Sequence, residues 1–204
     1  MEVVDDTGIK AARTALERGE LVVVPTDTVY GIAALAEDEA AVRLMYEVKG
    51  RDLAQPTAAV FASTADLVDR LGEVDRRTAW AIHALLPGPW TLVVDAPSLA
   101  WPWLTGGAPG PIGVRVPSGG LELPPIAATS ANLAGRPTAE SFAQLDDELV
   151  AHVAVAVDRG VLDPAGAATV LDLTAWATGS GEVRILRDPV GRAGQAIAAL
   201  ADGP

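Results

Sequence analysis

The chain has 204 residues, of which 50% are apolar and 21% charged, and its 27 acidic and 15 basic side chains leave a formal charge of −12. That balance excludes intrinsic disorder and the broad basic surface of a non-specific nucleic-acid binder, so any anion site is local and built from a few of the basic residues. The lack of cysteine removes disulfides, thiolate nucleophiles and cysteine metal sites, and two histidines, His83 and His152, are too few for a histidine-rich centre.

The length suits one domain with a substantial core, taken as residues 1–204. No apolar run approaches the roughly 20 residues of a membrane span, and the N-terminus lacks the basic and apolar regions of a signal peptide. A soluble, cytoplasmic protein is expected.

In chain order, GIKAARTALERG predicts a helix with Ile9, Ala12 and Leu16 on one face. ELVVVP reads as a buried strand, and it runs into an unusual cluster of small polar groups in PTDTVYGI, residues 25–32. DEAAVRLMYEVKG predicts a second helix whose apolar stripe is Val42, Met45 and Tyr46. Lys49 lies at i+7, i+4 and i+3 from them and continues that inward face at the last turn. Two readings of Lys49 stand side by side: a cation complementing the helix C-terminus while its stem snorkels, or a ligand-binding group. Gly50 ends the helix and Arg51 follows at once, so the two cations could share a phosphate.

Further strands are predicted in TAAVFA, WTLVVDA, IGVRVP, IAATS, VAVAVD, ATVLDL and VRILR, and further helices in STADLVDRLGEV and RRTAWAIHALL. The alternation reads as an α/β or α+β domain with a largely buried mixed sheet. The Pro/Gly-rich stretch 96–113 reads as a long surface loop, whose Trp101 and Trp103 lid an apolar face rather than stack on a base. Arg115 interrupts the strand GVRVP opposite Val114 and Val116; if its face is covered, the guanidinium needs a carboxylate from the protein or from a ligand. In ATSANLAGRPT, residues 128–138, an apolar run stops at Thr129, Ser130 and Asn132, which suits either a hydroxyl-type turn or the polar atoms of a ligand beyond the strand end. His83 and His152 have no sequence partners and read as structural. No Walker-type or dinucleotide-type glycine loop is present.

Together PTDTVYGI, KGR, LPGPWTLVV, GVRVP, TSANLAGRPT and TVLDL with VRILR occur in one order. In that order and spacing the chain resembles the YrdC-like threonylcarbamoyl-AMP synthases, over a core of about residues 8–190, with a short C-terminal helix at 191–202. The resemblance implies a twisted mixed sheet flanked by helices around a large concave cleft. It implies an enzyme, a nucleotidyltransferase that joins L-threonine, bicarbonate or CO2 and ATP into L-threonylcarbamoyladenylate, releasing pyrophosphate. Mg2+ would accompany the ATP, with no protein metal ligands, and a separate tRNA threonylcarbamoyl-transferase complex would consume the product.

By the same resemblance the K-x-R and S-x-N motifs fall on Lys49, Arg51, Ser130 and Asn132 at the nucleotide site, with Lys49 and Arg51 as the catalytic pair. Thr138 and Arg187 match further nucleotide contacts. Thr26, Thr28 and Arg115 match the threonine side, the guanidinium pairing with the amino-acid carboxylate. Asp27 would either orient the substrate ammonium or hold the turn. The chain departs from the family pattern at Pro111 and Ala168, where hydroxyl residues are usual, at Asp52 and Thr57, and in the shortened segment 116–128. Two other readings remain open: a divergent paralogue with other carbamoyl or adenylyl chemistry, and a non-catalytic nucleotide- or RNA-binding module.

Overall fold

The computed structural model describes residues 1–5, 8–162 and 166–204. Ten strands form one mixed sheet in the order β1-β8-β2-β3-β7-β4-β6-β5-β9-β10. They are β1 (Glu2–Val4), β2 (Val22–Pro25), β3 (Tyr30–Leu35), β4 (Ala58–Val60), β5 (Trp90–Val94), β6 (Ile112–Arg115), β7 (Ile126–Ser130), β8 (Val155–Val157), β9 (Thr169–Asp172) and β10 (Arg184–Arg187). The helices are α1 (Ile9–Glu17), α2 (Glu39–Lys49), α3 (Thr64–Leu71), α4 (Arg76–Leu85), α5 (Asp147–Val150), α6 (Thr174–Ala177) and α7 (Ala193–Ala201). Strands β1 and β3 are absent from the runs singled out by sequence. The missed β3 holds Gly31, Ala33 and Ala34, residues poorly suited to strands on their own, and it is extended because it pairs antiparallel with both β2 and β7.

Alternation along the strands divides the core into two layers. Val23, Tyr30, Ile32, Ala59, Leu92 and Val114 face α2, α3 and α4 in the larger layer, where α7 also packs on α4. The 96–113 loop closes that side: Trp101 stacks on Phe61 with ring centroids 6.5 Å apart, and the Trp103 indole donates to the Ala36 carbonyl at 2.9 Å. Fully burying a side chain such as Phe61 is worth about 1.5–3 kcal/mol. Val22, Val24, Ala33 and Val155 face the other way, under α1 and under Leu121 and Leu123 of the short segment after β6.

Helix α1 covers only the β8-β2-β3 part of that second face. Beyond it the residues shrink to Ala58, Ala128, Gly113 and Thr91, and a cleft opens over the centre of the sheet. A Cβ on Gly113 would stand 3.2 Å from the Thr91 methyl and 3.4 Å from the Ala58 Cβ, so the glycine keeps the floor low.

Helix α2 delivers the key turn. Asp38 caps its start, accepting from the Ala41 amide at 3.0 Å, a contact typically worth about 1 kcal/mol. Its end is a Schellman turn: Gly50 takes φ 62°, its amide bonds to the Glu47 carbonyl at 2.9 Å, and the Arg51 amide bonds to the Tyr46 carbonyl at 2.9 Å. Arg51 thereby folds back over the Tyr46 ring, 5.4 Å from its centroid.

Candidate functional site

The cleft has a volume of about 420 Å³. Its floor is the outward face of β4, β5, β6 and β7, and its walls carry Arg51, Arg115 and Arg187 with Thr26, Thr28, Ser130 and Thr138. Among the described residues, no Asp or Glu lines it. A larger bay of about 610 Å³ adjoins it through Thr138, but the cation there, Arg136, is neutralised by Asp146 and lies 3.5 Å from Glu148. In the smaller cleft Arg51 and Arg187 have no ion-pair partner among the described residues, so it is the site with unspent positive charge.

PTDTVYG forms the hairpin turn between β2 and β3. The Thr26 hydroxyl donates to the Val29 carbonyl at 2.7 Å and accepts from the Thr28 and Val29 amides at 3.2 Å, so it is largely consumed in holding the turn. Its neighbour Asp27 reaches Arg115, and the other carboxylate oxygen accepts from the Ser118 amide at 2.9 Å. Arg115 Nη2 also donates to the Thr28 hydroxyl at 2.9 Å. The partner of the interrupted strand's arginine is thus a carboxylate of the protein itself, and Asp27 holds the turn. Arg115 Nε is buried without a partner. Tyr30 is buried behind the turn, donating to the Gly160 carbonyl at 2.9 Å.

Arg51 donates to the Thr129 hydroxyl at 3.0 Å and to the Pro56 carbonyl at 2.6 Å, while its Nε is buried and unpartnered. Arg187 is exposed as a residue, yet its guanidinium lies over the cleft and donates to the Ala168 carbonyl at 3.1 Å. Loss of hydration, then the nearby positive charges of Arg115 and Arg51, lower its pKa. Of these three guanidiniums only Arg115 has a carboxylate partner, so a multiply charged anion would relieve the repulsion that Arg51 and Arg187 feel.

Of the residues expected at the site, Arg51, Ser130, Thr138, Arg187, Thr26, Thr28 and Arg115 converge on this cleft. Lys49 and Asn132 do not line it. Lys49 is only 4% exposed, and its ammonium donates to the carbonyls of Ser130 and Asn132; Asn132 borders the adjoining bay. Burial, with a smaller contribution from Arg51, lowers the Lys49 pKa from 10.5 to about 8. Thr91, Gly113, Val170 and Leu186 also line the cleft and escaped the sequence reading. Period-two alternation opposite Leu92 and Val114 was the available signal for the first two. His83 and His152 are exposed and stand apart from the cleft.

A mixed α/β sheet bearing such a cleft has the chemistry to suit a polyanionic small molecule. The Sua5–YciO–YrdC family model, described as telomere recombination, matches residues 14–188, and the chain belongs to that family. A Mycobacterium tuberculosis relative that carries threonylcarbamoyl-AMP synthase as a provisional name is 36% identical over 174 residues, 82% of this chain and 79% of its own. The threonylcarbamoyl-AMP synthase of Pyrococcus abyssi is 32% identical over 86% of this chain. This chain spans only 53% of that relative. In solved structures, P. abyssi Sua5 complexed with L-threonine superposes with a TM-score of 0.81 at 29% identity, covering 97% of this chain and 61% of that one. Escherichia coli YciO shares the fold with a TM-score of 0.75 at 22% identity, covering 93% of this chain and 94% of its own.

Proposed function

We propose that this chain is an L-threonylcarbamoyladenylate synthase, a nucleotidyltransferase serving tRNA modification. The observation that carries the reading is the convergence of Arg51 and Arg187, which have no carboxylate partner among the described residues, on one cleft beside Arg115. A triphosphate supplies the negative charge those groups lack, and the amino-acid carboxylate is a second anion for the same cleft.

ATP phosphates meet Arg51, Arg187, Ser130 and Thr138, with Lys49 and Asn132 behind the wall that carries Ser130. Threonine lies toward Thr28 and Arg115, whose Nη1 edge is left free by Asp27, with Thr26 shaping the turn. The threonine ammonium gives one proton to solvent, the amine lone pair attacks the carbon of CO2, and the nitrogen gives a second proton to solvent, leaving a carbamate. A carbamate oxygen then attacks the α-phosphorus of ATP, the bond to the β-phosphate bridging oxygen breaks, and pyrophosphate leaves with the electron pair. The protein contributes position and charge neutralisation rather than a nucleophile.

Magnesium belongs to the substrate in this scheme, arriving with the triphosphate and held by phosphate oxygens. Guanidiniums and hydroxyls make a poor ligand set for a hard cation, and the described residues hold no group of three or more His, Cys, Asp or Glu placed for a metal. The product passes to a tRNA threonylcarbamoyl-transferase complex. A cytoplasmic location completes the proposal, and no helix among the described residues is long and apolar enough to cross a membrane.

The test is pyrophosphate release from ATP and bicarbonate, with and without L-threonine, by the wild type and by Arg51→Ala. Threonine-dependent release that Arg51→Ala abolishes is expected. Nucleotide binding without such release overturns the reading.

A further inference from the structure

We infer that Lys49 is a positioning residue, which acts on the nucleotide only through the loop 130–136 whose conformation it fixes; the inference rests on the nucleotide reading above. An ammonium has three donors and no acceptor. Those of Lys49 are directed at the Ser130 carbonyl, the Asn132 carbonyl at 2.7 Å and the Asn132 Oδ1 at 3.5 Å. The Lys49 carbonyl holds the same loop from its other side, accepting from the Ala134 amide at 3.0 Å. A phosphate oxygen that took a donor from Nζ would strip a part-buried carbonyl of its partner, an exchange with a cost on both sides.

Asn132 carries the clamp onward. Its amide nitrogen donates to the Leu133 carbonyl at 3.0 Å and the Arg136 carbonyl at 2.7 Å. The Ala131 amide ties the loop to the Tyr30 carbonyl at 2.7 Å. Ser130 starts this loop and Thr138 lies just past it, and both line the cleft. Across the Schellman turn, Arg51 also lines the cleft and bonds to Thr129, the residue before Ser130.

The four motif residues therefore divide by role. Arg51 and Ser130 face the ligand, while Lys49 and Asn132 face each other behind the wall. The spacing of K-x-R across a helix end produces this split: the first residue keeps the inward helical direction, and the second emerges after the left-handed glycine on the cleft side.

The experiment compares Lys49→Met, Lys49→Arg, Asn132→Ala and Arg187→Ala, with the Lys49→Met pairs. Amide exchange in the free protein reads the loop without any ligand. Lys49→Met and Asn132→Ala are expected to speed exchange at Ala131, Ala134 and Arg136 by about tenfold, Lys49→Arg by less, and Arg187→Ala not at all. Unchanged protection in Lys49→Met overturns the inference whatever the activity. Calorimetry with ATP reads the consequence: Lys49→Met and Asn132→Ala each weaken binding about tenfold, the double variant weakens it no further, and Lys49→Met with Arg187→Ala multiplies the two losses. Multiplied losses for the first pair and a shared loss for the second would place Lys49 on the phosphates and overturn it. If the wild type binds no ATP, the functional reading fails, while amide exchange still decides the clamp.

Discussion

Arg115 and Asp27 form an ion pair at the edge of the cleft with side chains only 11% and 9% exposed, joining β6 to the tip of the β2–β3 hairpin. Removing one member of so buried a pair leaves the other charge uncompensated, beside a guanidinium Nε that already lacks a partner. Asp27→Ala is expected to cost about 3 kcal/mol, the scale for breaking such a pair. Asp27→Asn, which keeps an acceptor for Arg115 but turns an NH2 toward the Ser118 amide, should recover only part of that loss. Denaturant midpoints of the two variants check the order, and equal midpoints for Asp27→Ala and wild type would refute it.

Lys49 sets stability and activity against each other in alkali. Its pKa falls from 10.5 unfolded to about 8 folded, because burial and then Arg51 disfavour the charged form. Between about pH 8 and 10.5 the unfolded chain holds the extra proton, so this group makes stability rise with pH across that window. Arg51 is the charged group facing it. A neutral amine has one donor fewer for the loop at 130–136, so turnover should fall as pH rises through about 8 while the protein grows no less stable. Parallel pH profiles of kcat and of the urea midpoint, with Lys49→Met as the flat control, read both trends.

How far these relationships could be foreseen depends on their range along the chain. The inward direction of Lys49 follows from its place after Val42, Met45 and Tyr46, and the sidedness of Arg115 follows from Val114 and Val116. What each side chain meets does not follow. The carbonyls that hold Lys49 lie 81 and 83 residues away, and Asp27 is 88 residues from Arg115, so only the folded sheet brings them together. Asp27 showed its position in PTDTVYG but left its role open, and the hairpin geometry resolves it. Strand β3 was hidden for a different reason: Gly31, Ala33 and Ala34 have weak preference for any extended state until β2 and β7 pair with them.

Ala168 is the departure most open to repair. Its carbonyl anchors Arg187, and the residue is part of the cleft lining next to β9. Ala168→Ser adds one neutral hydrogen bond, worth about 0.5–1.5 kcal/mol, and should lower the KM for L-threonine roughly two- to tenfold with the KM for ATP unchanged. A raised KM for threonine would mean that the cleft wall there is packed for an apolar group.

Arg187 separates ligand binding from folding. It sits on the exposed edge strand β10, with one hydrogen bond to the protein and with Arg115 and Arg51 as like-charged neighbours. Truncation removes repulsion from the empty cleft as well as one contact, so Arg187→Ala should leave thermal stability within about 0.5 kcal/mol of wild type, as for an exposed substitution. Binding tells a different story, because a hydrogen bond from a charged donor contributes about 1.5–3 kcal/mol. ATP affinity should therefore fall by at least tenfold, and its decline with added salt should become shallower, since one cation fewer meets the phosphates. Titrations at two salt concentrations measure both effects. A variant that loses stability but keeps its affinity would remove Arg187 from the anion site and leave the phosphates to Arg51, Ser130 and Thr138.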